Sequence, residues 1–333
     1  YSKPTVAGQD GRIEPTGMYL RRVGVSKLKT TAAELCVVML KYILLALASA
    51  VAMATSGIIA RLSGLAAAEL TFYRLFVGGL MLLLFVVASG RWRVLAGKPD
   101  WRMAVNGVLL AGFMITFLTA IDYISLANAI MLVYLAPPLS AFIAHALMGE
   151  RLDKPDTSLI ALSFFGFAML QQFQFDLVLD AAQLPGLVFG LLSLVSYSGF
   201  LLLNRRALPA HSQLQRTFYQ LMIGACCVLP FLSGITVPQG QTWLWIALAG
   251  LLPGFIAIYC AIVALQHLPT RVYATLAYLE PVTVILAGWL LFQESLNLLQ
   301  VGGVLLIIVS GLWLALRHKP APTVAQAIEA VPS

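Results

Sequence analysis

Charged residues are scarce in this 333-residue chain: they make up 11% of the sequence, whereas 60% of the residues are hydrophobic. Soluble domains carry about 25% charged and about 45–50% apolar residues. The composition therefore excludes a soluble enzyme, a nucleic-acid-binding domain and a disordered chain. The formal net charge of +7 does not indicate nucleic acid as a partner. The basic residues lie between apolar runs, where they indicate orientation in a membrane.

Cysteine and histidine are also few, and their spacing matches no metal or catalytic pattern. The four cysteines all fall inside apolar runs, and the four histidines are scattered. The phosphate-binding sequence GxxxxGK[ST] does not occur in the chain. We therefore expect no disulfide framework, no metal, no cofactor and no ATPase activity, and we predict that the protein is not an enzyme.

Long apolar runs, by contrast, fill most of the chain. A transmembrane helix needs about 20 mostly apolar residues, and no run shows the period-2 alternation of a transmembrane strand. We predict an all-α polytopic membrane protein with ten transmembrane helices, called spans 1 to 10 below. The spans cover about 36–60, 66–89, 102–121, 124–147, 157–175, 185–204, 213–234, 242–264, 270–292 and 299–317.

The two ends of the chain are polar. We interpret residues 1–35 as a polar cytoplasmic segment without a signal peptide, and residues 318–333 as a mobile cytoplasmic tail. Met18 is a candidate native start, in which case Tyr1–Gly17 would be an upstream segment.

Lysine and arginine lie mainly on one predicted side of the membrane. They precede span 1, occur in the loops after spans 2, 4 and 6, and lie at the start of span 9 and at the end of span 10. The other side carries Arg61 and otherwise mostly acidic or neutral residues, including Asp122, Asp176, Asp180 and Glu294. Since lysine and arginine are enriched in cytoplasmic loops, we predict a multi-pass protein of the inner (plasma) membrane with both termini cytoplasmic.

The sequence repeats itself at an offset of 144 residues. Residues 134–152 (YLAPPLSAFIAHALMGERL) align with residues 278–296 (YLEPVTVILAGWLLFQESL) and share tyrosine, proline and glutamate positions. Span 4 thus corresponds to span 9, and each repeat holds five helices, in residues 36–175 and 176–317. Because five is odd, the second repeat enters the membrane from the opposite side. Inverted repeats are typical of secondary transporters, although duplication could also merely build a larger bundle.

Several spans carry helix-breaking residues near their midpoints. Proline removes a backbone hydrogen bond, and in lipid such breaks persist only inside the protein or beside a wet cavity. We infer that spans 3, 4, 8 and 9 meet around a central cavity, with packing kinks as the alternative. The candidate hinges are Gly112, Pro137, Pro138, Pro253, Gly254 and Pro281.

Glu280 lies near the middle of span 9, where a charge costs about 2.5–3.5 kcal/mol on insertion scales. It is either a binding group for substrate or proton, or a structural partner of a cation or of a carbonyl freed by Pro281. Arg74 in span 2 is the candidate cation, and it could pair with Glu69, pair with Glu280 or extend towards the membrane surface.

Aromatic and polar residues complete the candidate cavity, although any one tyrosine could equally serve packing. Tyr273 and Glu280 are two helical turns apart and so share a helix face. The candidate substrate-binding residues are Phe113, Thr116, Phe117, Asn128, Met131, Tyr134, Tyr197, Tyr259, Tyr273 and Glu280.

Four stretches resemble the drug/metabolite transporter superfamily of EamA type: 69–84, 134–152, 197–206 and 278–296. The proline of spans 4 and 9 is followed 13 positions later by an acidic residue, Glu150 or Glu294. The resemblance implies mostly structural roles for these two acids at helix ends, and Arg74 matches an arginine of the second helix. Residues 51–57 (VAMATSG) lack the tryptophan that many members carry in the first helix.

The resemblance implies export of a small metabolite, with amino-acid exporters of the YddG kind as the nearest analogy. We therefore predict a secondary transporter of amino acids or related compounds that works by alternating access, with proton coupling through Glu280 as a hypothesis. An exporter of small drugs or nucleobase-like metabolites is the alternative. Outside transport, the alternatives are a membrane scaffold and an intramembrane lipid-modifying enzyme. The sequence gives neither the coupling ion nor the oligomeric state.

Overall fold

Helices make up nearly all of the structure, a computed structural model that describes residues 16–174, 182–206, 211–232 and 238–317. Within these ranges no residue is assigned to a strand. The helices are α1 (Thr16–Ser63), α2 (Ala67–Ala88), α3 (Trp101–Ala120), α4 (Leu126–Tyr134), α5 (Ala136–Met148), α6 (Lys154–Leu170), α7 (Leu184–Arg205), α8 (Gln213–Val228), α9 (Thr242–Ala249), α10 (Ala257–His267), α11 (Thr270–Ala277), α12 (Leu279–Phe292) and α13 (Leu298–Arg317). The predicted tail 318–333, residues 1–15, Asp176 and Asp180 lie outside the described residues.

Each predicted span coincides with one or more of these helices. Among the described residues, eight stretches are long and apolar enough to cross a membrane. The other two predicted spans correspond to α6, with 17 residues, and α8, with 16. The all-helical membrane class is thus confirmed, while the count of ten spans stays a prediction.

The first helix begins earlier than its apolar run. We predicted the span from about residue 36, and its apolar part is Met39–Ser63, but the helix itself starts at Thr16. Hydrophobicity marks the part of a helix that suits lipid, and it does not mark where the helix begins. The described chain divides into residues 16–41 and a second unit, Tyr42–Arg317, which contains every contact discussed below.

Small residues allow the helices of this second unit to pack closely. Where α6 meets α13, a Cβ atom on Gly166 would lie 3.0 Å from the Gly303 carbonyl oxygen. The hydroxyls of Ser163 and Ser310 lie 2.7 Å apart and are hydrogen-bonded at the same interface. These two helices are spans 5 and 10, the last helix of each repeat, so corresponding helices of the two repeats pack on each other.

Candidate functional site

Span 4 is interrupted between α4 and α5, next to Leu135. Pro138 has no N–H to donate to the carbonyl of Tyr134, four residues earlier. That carbonyl accepts a hydrogen bond from the hydroxyl of Tyr278 at 2.8 Å instead. Tyr278 is the repeat counterpart of Tyr134, so equivalent residues of the two repeats contact each other at the break.

Span 9 is interrupted at the corresponding place, at Tyr278 between α11 and α12. Pro281 likewise leaves the carbonyl of Ala277 without its helical donor. Glu280 thereby lies in the first turn of α12. A helix N-terminus favours a negative charge, so the break itself helps to hold a carboxylate between apolar helices. The repeat counterpart of Glu280 in α5 is Ala136.

Four further side chains face Glu280 and form with it the central polar cluster, defined as Arg74, Tyr134, Tyr197, Tyr273 and Glu280. The Tyr134 hydroxyl interacts with the Glu280 carboxylate. Arg74 interacts electrostatically with Glu280 and with Tyr197, and Tyr273 interacts with Glu280 and Tyr197. The cluster joins residues of spans 2, 4, 6 and 9, and so draws on both repeats.

Arg74 is held by neutral groups from spans 1 and 3. Its Nη1 atom donates to the hydroxyl of Ser56 at 2.8 Å and lies 3.9 Å from the sulfur of Met53. Its Nη2 atom lies 2.9 Å from the sulfur of Met114. The charge that stabilises the guanidinium is that of Glu280. Of the partners left open by the sequence, Glu280 is thus the one that interacts with Arg74 through its charge.

Arg74, Tyr134, Tyr197 and Glu280 are each only half-buried, although they belong to the interior of the bundle. Leu75 and Tyr278, close to them in the chain, are fully buried and Ser198 is 2% exposed, whereas Leu135, Ser196 and Leu279 are half-buried as well. Arg74, Glu280 and the tyrosine hydroxyls are hydrogen-bond donors and acceptors that can bind a small polar solute.

Some predicted site residues lie beside this cluster. The ring of Phe113 stacks on that of Tyr197 at a centroid distance of 4.8 Å. Thr116 is on the same helix, but its hydroxyl donates to the carbonyl of Gly112 at 2.7 Å. Phe113 is thus brought to the cluster, whereas the Thr116 hydroxyl is bonded within its own helix, and a role of Thr116 in substrate binding stays a prediction.

Two other predicted site residues lie in apolar packing. Met131 packs in an apolar cluster that includes Phe167 and Tyr278, and Tyr134 packs against that cluster. Phe117 packs against Ala120 and Ile124 at the end of α3. Any role of Met131 and Phe117 in substrate binding stays a prediction.

Tyr259 lies apart from the central polar cluster, and Asn128 lies about two turns before the interruption of span 4. Tyr259 packs near Phe255 and interacts electrostatically with Arg91, which follows α2. Asn128 is 2% exposed in the first turn of α4. Any role of these two residues in substrate binding stays a prediction.

The predicted break in span 8 is a π-helical segment, Gly250–Ile256, which contains Pro253. A Cβ atom at Gly254 would lie 2.3 Å from the carbonyl oxygen of Arg74, so the glycine lets span 8 approach the backbone of α2. At Gly112, in contrast, α3 continues without interruption. The expected break there is wrong, because glycine keeps the N–H that proline lacks.

The sequence analysis missed the side chains that hold the cluster in place. Ser56, Met53 and Met114 contact Arg74, and Ser49 interacts with Tyr273. Ser49 also donates to the carbonyl of Ala257 at 2.8 Å. None of these residues has a distinctive sequence pattern, since serine and methionine are ordinary in membrane helices.

Glu150 forms the first end pair, defined as Glu150 with Arg205. The Nε atom of Arg205 donates to the Glu150 carboxylate at 2.6 Å. The backbone N–H and the hydroxyl of Thr270, the first residue of α11, donate to it at 2.8 and 3.1 Å. Glu150 therefore links the ends of spans 4 and 6 to the start of span 9.

Glu294 forms the second end pair with Arg61. The Arg61 guanidinium also lies 4.2 Å from the centre of the Phe292 ring. Arg61 and Arg205 are 144 residues apart, as are Glu150 and Glu294, so the two end pairs are repeat equivalents. Each one joins an acid of one repeat to an arginine of the other.

The two end pairs differ in burial. The side chains of Arg205 and Glu150 are 24% and 14% exposed, whereas those of Arg61 and Glu294 are 56% and 52% exposed. The first pair also has the two Thr270 donors. The first end pair is therefore the more strongly held of the two.

The profile of the EamA-like transporter family matches residues 40–171 and 184–316, that is, most of the chain in two successive copies. An uncharacterized transporter of Archaeoglobus fulgidus is 28% identical over 81% of this chain and 94% of its own. The pseudopaline exporter of Pseudomonas aeruginosa is 26% identical over 77% of this chain and 88% of its own. The S-adenosylmethionine uptake transporter of Rickettsia conorii is 21% identical over 76% and 84%.

These relatives are named as transporters, and none is named as an enzyme. The all-helical fold, the two repeats and the half-buried polar cluster between them agree with that class. The protein is a multi-pass membrane transporter of small molecules, and the chain belongs to the EamA-like transporter family.

Proposed function

We propose that the protein is a secondary transporter that exports amino acids or related compounds by alternating access. The substrate binds at the central polar cluster, between the two repeats. The observation that carries the proposal is the meeting of Arg74 and Glu280 with three tyrosines where spans 4 and 9 are both interrupted. Interrupted helices near mid-depth are typical of transporter binding sites.

The two end pairs support alternating access. If the repeats are inverted, Glu150–Arg205 and Glu294–Arg61 lie at opposite membrane surfaces. In this structure the Glu150 side is tied by three donors and the Glu294 side by one exposed ion pair. If one pair breaks while the other forms, the substrate would reach the central polar cluster from the opposite side of the membrane.

The orientation proposed here has both termini in the cytoplasm and Glu150 on the cytoplasmic side of the plasma membrane. The loop after Glu150 begins with Arg151, and the loop after Glu294 carries no lysine or arginine. Tags inserted after residues 152 and 295 test this orientation. Accessibility from opposite faces is expected, and accessibility of both tags from one face would overturn the inverted arrangement.

Amino acids or their derivatives are favoured as substrates because the cluster offers both a cation and an anion. One relative is named for S-adenosylmethionine, a derivative of an amino acid. That relative is named for uptake and the Pseudomonas relative for export. The proposed direction, export, is therefore tested by measuring both uptake and efflux.

The proposal is tested with the purified protein in liposomes. Uptake and efflux of a panel of L-amino acids, nucleobases and small cationic drugs are compared with protein-free liposomes. Saturable transport of amino acids is expected. Transport of drugs or nucleobases in its place would support the alternative substrate class, and transport of no solute would overturn the proposal.

Proton coupling through Glu280 is part of the proposal. Glu280 is the acid of the central polar cluster, and a carboxylate there could take up a proton on one side and release it on the other. Transport by the wild type and by Glu280→Gln is compared across pH. We expect the pH dependence to be lost in the variant, and an unchanged dependence would exclude Glu280 from coupling.

A further inference from the structure

We propose that the central polar cluster recognises a zwitterion, with the solute carboxylate on Arg74 and its ammonium group on Glu280. The inference rests on the proposed transport function and adds which residue binds which end of the solute. It is carried by the contacts of Arg74, by the position of Glu280 and by the separation of the two charges.

Arg74 has more hydrogen-bonding capacity than its neighbours use. A guanidinium has five N–H donors in a planar fork that suits a carboxylate. The acceptors around Arg74 are one hydroxyl, of Ser56, and two thioether sulfurs, of Met53 and Met114. Thioethers are weak acceptors, and the Nε atom is buried without a partner. A carboxylate of a solute would supply the strong acceptors that these neighbours do not.

Glu280 is placed to bind a cation. Its carboxylate lies at the N-terminus of α12, near the hydroxyl of Tyr134. A carboxylate oxygen accepts hydrogen bonds from an ammonium group. The rings of Tyr134 and Tyr197 are close by, and aromatic faces attract ammonium groups.

The two charges act on each other without direct contact. Arg74 and Glu280 interact electrostatically, but the ion pairs found in the described part of the chain do not include them. Both side chains are half-buried and so remain accessible. A solute with a carboxylate at one end and an ammonium group at the other would compensate both charges. A solute with one charge would leave the other residue uncompensated, which is costly between apolar helices.

The test combines transport with selectivity. Liposomes that contain the purified full-length protein are assayed for uptake of radiolabelled L-α-amino acids and, as a neutral solute, uracil. For each amino acid that is transported, competition is measured with its α-amide, which lacks the carboxylate, and with its N-acetyl derivative, which lacks the ammonium group. We expect each derivative to compete at least about tenfold less well than the parent amino acid.

Two variants test which residue binds the carboxylate of the solute and which binds its ammonium group. Arg74→Gln should remove the preference for the acid over the amide, and Glu280→Gln should remove the preference for the amine over the N-acetyl derivative. Lys98→Gln and Asp122→Asn remove exposed charges away from the cluster and should keep both preferences. If Arg74→Gln does not fold, Arg74→Lys keeps the charge without the fork and should retain part of the preference for the acid.

The outcomes separate this inference from the proposed function. Transport of uracil but of no amino acid would overturn the zwitterion site and leave transport intact. Equal competition by the derivatives, or unchanged selectivity in both cluster variants, would overturn the site as well. Amino acids that raise the melting temperature of the wild type but not of Arg74→Gln, without being transported, would support the site and contradict the function. The absence of both binding and transport would overturn both.

Discussion

Replacing Arg205 by glutamine should open the side of the protein that the first end pair closes. Glu150 would keep the two neutral Thr270 donors but lose the charged donor at 2.6 Å. Hydrogen bonds to charged groups contribute about 1.5–3 kcal/mol. Because the side chains are 24% and 14% exposed, solvent screening lowers this figure. We expect a cost of about 1–2 kcal/mol, which is about 5–30-fold in the ratio of open to closed forms.

The change is measured as the rate at which a thiol reagent labels a single cysteine at Ser196, beside the central cluster. The four native cysteines are first replaced, and the reagent is added on the Glu150 side. Arg61→Gln, labelled from the other side, is the matched control. Its exposed ion pair contributes about 0–1 kcal/mol, so the increase should stay below about fivefold. An equal or larger increase for Arg61→Gln would refute the assignment of Glu150–Arg205 as the stronger closure.

Two substitutions test the packing that holds the site. Tyr278→Phe removes the donor to the Tyr134 carbonyl and should cost about 1–3 kcal/mol of stability. The loss is measured as a lower melting temperature in detergent, and an unchanged melting temperature would contradict the role of this hydrogen bond. Gly254→Ala places a Cβ atom 2.3 Å from the Arg74 carbonyl oxygen and should cost about 1–3 kcal/mol and impair transport. At Gly57 a Cβ atom meets nothing within 4 Å, so Gly57→Ala should be tolerated, and equal effects of the two alanines would contradict this reasoning.

The sequence predicted the interrupted spans because proline has a local effect on the backbone. The structure interrupts span 4 at Leu135 and span 9 at Tyr278, about one turn before the prolines. The shift follows from hydrogen bonding, since proline has no N–H to donate to the carbonyl four residues earlier. Gly112 was predicted as a hinge near the midpoint of span 3 and does not interrupt α3, because glycine, unlike proline, keeps the N–H that bonds within the helix.

Contacts between helices were much harder to predict. Arg74 bonds to Ser56 and contacts Met114, which lie on two other helices. Which faces of three helices meet depends on how they rotate and slide against one another, and no local pattern encodes that. The end pairs did leave a signal, because Arg61 and Arg205 share the 144-residue offset of the two glutamates.

The end pairs occur in both repeats, whereas the central polar cluster depends on residues of unequal kind in the two repeats. The end pairs, Glu150 with Arg205 and Glu294 with Arg61, are equivalent in the two repeats. The protein could therefore close at either membrane surface with the same kind of arginine–glutamate ion pair. The cluster is not equivalent, because Glu280 has Ala136 as its counterpart. A symmetric carboxylate would bring two acids near one arginine and leave one of them uncompensated between apolar helices. Duplication can therefore explain how the protein would alternate, whereas the solute that it binds depends on residues present in only one repeat.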